Sequence, residues 1–136
     1  MKLKITLLIS LFIFCTGFAA SVKPAGNTKK TIRKYDEHVK ELEGLFLNFN
    51  IKMDAPDFLQ PAITNYSKDS LIVALAKIES DLLQATETHD LTLTCLDFEV
   101  PGFEKFTIYE WINFALVHTQ RHTHQLNSIF KMLTQV

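Results

Sequence analysis

The sequence predicts an all-α fold, an antiparallel helical bundle, and three observations carry that expectation. Apolar residues recur at spacings of three and four along three stretches, with polar side chains between them. Four glycines and four prolines in 136 residues are too few for a turn-rich all-β architecture. Helix-start signals stand where the second and third periodic stretches begin. With 47% hydrophobic residues the chain can bury one core, and its length allows one domain.

The N-terminal segment stands apart from this pattern. Lys2 and Lys4 precede an uncharged apolar run from Ile5 to Phe14, followed by Cys15-Thr16-Gly17-Phe18-Ala19-Ala20. A basic start, a short apolar centre and small residues after it are the parts of a secretory signal peptide over residues 1–20. Gly17 and Ala19 suit cleavage after Ala19. The run is too short for a comfortable membrane span, and Ile13-Phe14 are too bulky ahead of Cys15 for a lipoprotein signal. The expected location is secreted or periplasmic, or cytoplasmic if residues 1–20 instead form a bundle helix. Cleavage would leave 12 basic and 15 acidic side chains, with Cys95 as the only thiol. One cysteine makes no internal disulfide, and with no base beside it in sequence Cys95 reads as a small buried hydrophobe. No basic run or stripe occurs, so nucleic acid is not an expected partner, and the mature chain has no stable membrane span.

Ser21 to Thr28 reads as an entry segment. From Lys29 to about Asn50, Ile32, Tyr35, Val39, Leu42, Leu45, Phe46 and Phe49 recur at helical spacing. Pro56 and Pro61 make residues 54–61 a loop. Ser67 then caps a second helix, where Leu71, Ala74, Leu75, Ile78, Leu82 and Ala85 form one stripe to about Thr86. His89 ends it, at a position where the helix dipole favours an imidazole. Residues 91–106 read as loop or short extended structure, with a turn at Pro101-Gly102. Thr107-x-x-Glu110 is a capping box that opens the last helix, running to about Leu133.

The last helix is the most informative. On it Trp111, Ala115, His118, His122, Gln125 and Ile129 fall on one narrow stripe, which Ile112, Leu116, Leu126, Phe130 and Leu133 widen into an apolar arc. Asn113, Gln120, Arg121, His124, Asn127 and Lys131 fill the opposite arc. His118 and His122 therefore face the core side one turn apart, and His124 faces water. Two imidazoles on an apolar arc need partners. They either converge on a metal ion or sit at the core edge with satisfied hydrogen bonds. Trp111 and Phe114 are expected in the core beside them.

The segments Phe98-Glu99-Val100-Pro101-Gly102, Phe106-Thr107-x-x-Glu110-Trp111 and His118-Thr119-Gln120-Arg121-His122-x-His124-Gln125-Leu126-x-x-Ile129 resemble the DinB-like family of metal-binding four-helix bundles. Lys52 to Pro61 resembles the connector before that family's third helix. The resemblance covers roughly residues 35–133, within an expected helical domain over residues 29–134. It implies a divalent metal, zinc or nickel, held by three histidines, two of which match His118 and His122. The family's third histidine lies on an earlier helix, in a half of the bundle this chain is expected to lack, so the bundle is expected to be incomplete. His38 is the upstream histidine available as a substitute, though it matches no family motif. Relatives move thiols onto electrophiles, which implies a metal-dependent thiol transferase, with Gln125 or Gln120 orienting the ligands. A His-Glu-x-x-His metallohydrolase is excluded because Thr119 occupies the position of the glutamate base. The alternative function is a non-catalytic exported helical protein with structural histidines, acting as a homodimer or through a partner. The small-molecule substrate is not specified by any residue.

Export is tested directly. Expressed in a bacterium, the protein should accumulate outside the cytoplasm with Ala20 or Ser21 at its N-terminus; soluble cytoplasmic protein that retains Met1 contradicts the signal.

Overall fold

The computed structural model describes residues 27–53 and 67–134. The signal segment and the whole 54–61 loop lie outside the described residues. Among the described residues there are three helices and two three-residue strands: β1 (Thr28–Lys30), α1 (Val39–Phe46), α2 (Lys68–Thr88), β2 (Leu93–Cys95) and α3 (Ile108–Thr134). The protein is mostly helical, as expected, but these helices are not a four-helix bundle.

The first element departs furthest from the sequence expectation. A helix over 29–50 shrinks to the eight residues of α1. Residues 28–30 pair antiparallel with β2, Thr28 opposite Cys95 and Lys30 opposite Leu93. Ile32 and Tyr35, which helical spacing placed in the core, are exposed. Long-range partners override the local period here.

The reason lies at the start of α3. Thr107 Oγ1 accepts from the Glu110 N–H at 3.2 Å, and Glu110 Oε2 accepts from the Thr107 N–H at 2.8 Å, forming the expected capping box. The fully buried Glu110 carboxylate does more than cap its own helix. Arg33 donates to both its oxygens, each at 2.7 Å, and the His38 N–H donates to Oε1 at 2.9 Å. Four donors saturate the carboxylate. Arg33 also reaches the Lys105 carbonyl at 2.8 Å, and Thr107 Oγ1 donates to the Tyr35 carbonyl at 2.6 Å. Residues 31–38 are thus held as turns against α3, and helix begins only where Glu110 receives the His38 N–H.

α1 then runs beside α3 in the same direction. His38 meets Glu110 at one end, and at the other Phe46 packs on Phe114 and His118, with ring centroids 5.0 and 5.4 Å apart. The antiparallel expectation is therefore corrected for this pair. Leu42, Phe46, Ala85, Cys95, Phe106, Trp111, Phe114 and Ala115 form the core. Through Leu82 and Ala85, the C-terminal end of α2 joins it. Ser67 caps α2 by accepting from the Ser70 N–H, and His89 ends it with its N–H on the Ala85 carbonyl. Val100 to Phe103 close a turn in which Gly102 takes a φ of +90°, a conformation that suits glycine after Pro101. Cys95 is buried, and desolvation pushes its thiol up to about 11, as befits a packing residue.

Burial pushes the Glu110 carboxyl up, but the Arg33 guanidinium and the His38 and Thr107 N–H groups outweigh it and hold it below the ordinary carboxylate value. Glu110→Ala strands Arg33 and two N–H groups, so it should cost about 3–5 kcal/mol in a urea titration. A loss under about 1 kcal/mol, the usual worth of an exposed pair, would remove Glu110 from this role.

Candidate functional site

The face that α3 buries differs from the one its apolar residues mark. Ile108, Glu110, Trp111, Phe114, Ala115, Val117 and Arg121 are buried, whereas Leu116, Leu126, Phe130 and Leu133 are exposed. The buried face is turned by roughly a quarter of the helix circumference toward Phe114, Val117 and Arg121. His118 and His122 lie on the border between that face and the exposed apolar stripe, and both are half-buried.

Arg121 explains the rotation. Read from sequence as a solvent-facing residue, it is buried and donates to the carbonyls of Phe46 at 3.2 Å, Asn48 at 3.1 Å and Ile51. These are the carbonyls at and just beyond the C-terminal end of α1, where unsatisfied acceptors gather. Charge alone gave no signal of this.

The structure brings His118 and His122 together. Their Nε2 atoms are 2.7 Å apart, and Gln125 Oε1 lies 2.9 Å from His122 Nδ1. His118 packs between the rings of Phe46 and Phe114, and Phe114 in turn meets Trp111 at 5.7 Å, so both expected core aromatics stand next to the pair. His124 is exposed on the other side and stacks on Phe49 at 3.9 Å. Gln120 is also exposed.

His38 is not brought to the pair. Its ring packs against Phe103 and Phe106, and its Nδ1 lies 3.5 Å from Glu41. Its backbone meets Glu110, two helical turns or about 12 Å along α3 from His118. Among the described residues no cluster of three His, Cys, Asp or Glu side chains is placed to hold a metal. His89 contacts Thr88 Oγ1 through Nδ1 at 2.7 Å, at the end of α2, far from this chemistry in role.

Burial pushes the His118 imidazole from its ordinary 6.5 down to about 3, with help from His122 and Arg121. The same burial lowers His122 against the opposing effect of Gln125, and Arg121 adds to it. Both rings are therefore neutral at pH 7. Neutral imidazole is the form that coordinates a divalent metal. It is also the form in which one ring donates to the other.

Comparison with protein-family models, with characterised proteins and with solved structures gave no match to this chain.

The neutral pair has a consequence for stability. Unfolded histidines take up protons as pH falls through 6.5, while the folded pair does so only at lower pH. The unfolded state then binds more protons, so stability should fall as pH drops below 6.5. Glu110 shifts in the lowered direction, so its contribution is present above 4.5 and fades only below it. Between those values the metal-free protein should lose stability with acid in urea titrations, and His118→Gln should flatten the slope. Identical slopes for both proteins contradict a buried neutral pair.

Proposed function

We propose that this chain is a DinB-like helical protein that binds a divalent metal ion, zinc or nickel, through His118 and His122. The convergence of their Nε2 atoms to 2.7 Å carries the reading. Two imidazoles on one tetrahedral ion at ordinary bond lengths hold their nitrogens about 3.3 Å apart, so a small opening of the pair admits the ion. The rings belong to one rigid helix, they are neutral, and aromatic packing holds His118 in place. Each of these favours coordination. Burial also keeps the rings neutral to lower pH than an exposed pair, so binding should persist below the 6.5 expected of free histidine.

A metal held there with open positions supplies Lewis acidity that lowers the pKa of a thiol brought to it. The proposed activity is accordingly a metal-dependent thiol transfer. What this chain's own residues contribute is the neutral ligand pair, the apolar wall of Phe46 and Phe114 beside it, and the exposed approach along the Leu126 and Phe130 side of α3.

A second reading is favoured by one observation. Leu116, Leu126, Phe130, Met132 and Leu133 are all exposed on α3, an unusual number of large apolar residues on one helix. In that reading the protein is non-catalytic, the histidines are structural, and α3 mediates a homodimer.

One experiment separates the two readings. Zinc and nickel content, metal-dependent melting and sedimentation are measured for the parent protein and for His118→Ala, His122→Ala and His124→Ala. Metal binding should be lost in the first two variants and kept in the third, with a gain in melting temperature confined to proteins that bind. Equal metal content in all four proteins refutes the site. Self-association without any metal response supports the second reading instead.

A further inference from the structure

We infer that Gln125 is a positioning residue for the histidine pair: it fixes the His122 tautomer in which a bare Nε2 faces His118. The functional weight of this inference rests on the metal-site reading, whereas the tautomer follows from hydrogen bonding alone.

A neutral imidazole carries a proton on one nitrogen and a lone pair on the other. Gln125 Oε1, 2.9 Å from His122 Nδ1, is a carbonyl oxygen and can only accept. Nδ1 therefore holds the proton, and His122 Nε2 is bare. The 2.7 Å contact between the Nε2 atoms must then run from His118 Nε2–H to His122 Nε2. The pair is asymmetric, with His122 presenting a lone pair and His118 a proton. When a metal takes both Nε2 atoms, only His118 has to change. Its proton leaves Nε2 and one is taken up at Nδ1, so each ring stays neutral and no net proton is released.

Helix geometry keeps this arrangement in place. Gln125 follows His122 by three residues on α3, so the two side chains are neighbours on one face. Gln120, the other glutamine considered from sequence, is exposed. A glutamate at position 125 keeps an acceptor for His122 Nδ1, and a leucine of similar size removes it.

The test reads the tautomer and the metal separately. Nitrogen-15 NMR of the histidine rings, at about pH 8 to keep them neutral, is recorded on metal-free parent protein, Gln125→Glu and Gln125→Leu. Zinc affinity is measured by calorimetry on the same samples, and melting curves confirm that each is folded. The parent and Gln125→Glu should carry the His122 proton on Nδ1. In Gln125→Leu a population with the proton on Nε2 should appear, and zinc should bind about 10–100-fold more weakly, with Gln125→Glu retaining affinity. A parent protein with the His122 proton on Nε2 overturns the inference. So does Gln125→Leu with unchanged tautomer and unchanged affinity. A tautomer that responds as described in a protein that takes up no zinc upholds the role of Gln125 and overturns the metal reading.

Discussion

The Glu110 carboxylate is the group on which the rest of this structure depends. A buried carboxylate is costly unless its lone pairs are filled, and here Arg33, His38 and Thr107 fill all four. Meeting that requirement brings three stretches of chain to one point: residues 33–38, residues 105–107 and the first turn of α3. The same bonds determine where α1 begins. An eight-residue helix is marginal by itself in water, so α1 owes its existence to what α3 offers it. At its N-terminal end it meets the negative Glu110, and at its C-terminal end the positive Arg121, which matches the helix dipole at both ends. The register follows. His38 lies at Glu110 and Phe46 lies at His118, an equal advance of eight residues along two helices that run in the same direction.

Local signals were readable: the Thr107-x-x-Glu110 box, the Ser67 cap, the extents of α2 and α3, and the turn at Pro101-Gly102. Each depends on residues within a few positions of one another. The start of α1, strand β1 and the role of Arg121 were not readable, because each depends on a partner about seventy residues away or on backbone carbonyls that no pattern of side chains reveals. Arg33 illustrates the difficulty. Within a helical period it is one more charged residue on a polar back, and only the fold shows that Glu110 lies opposite it.

The histidine pair was legible as a pair, and its location was legible in part. The spacing of His118 and His122 gave their adjacency correctly, and Phe114 and Trp111 stand beside them as expected. The apolar arc that placed both on the core side is the wrong guide, since part of it is exposed and the buried face includes two charged residues. Ranking side chains by hydropathy cannot show that Arg121 is satisfied by three carbonyls. Once Arg121 turns the helix, the histidines move to the border between core and surface.

That border position joins fold and chemistry in one residue. Arg121 closes the end of α1 and, by the same charge, helps to keep His118 and His122 unprotonated. A positive group so near also disfavours any arriving cation. Its guanidinium, however, is turned toward the negative ends of the carbonyl dipoles of α1 and the residues after it, which offset its charge. The helix that builds the core is thus the helix that holds the neutral imidazoles, and half-burial suits both duties. Full burial would seal the nitrogens away, and full exposure would let them protonate near neutrality.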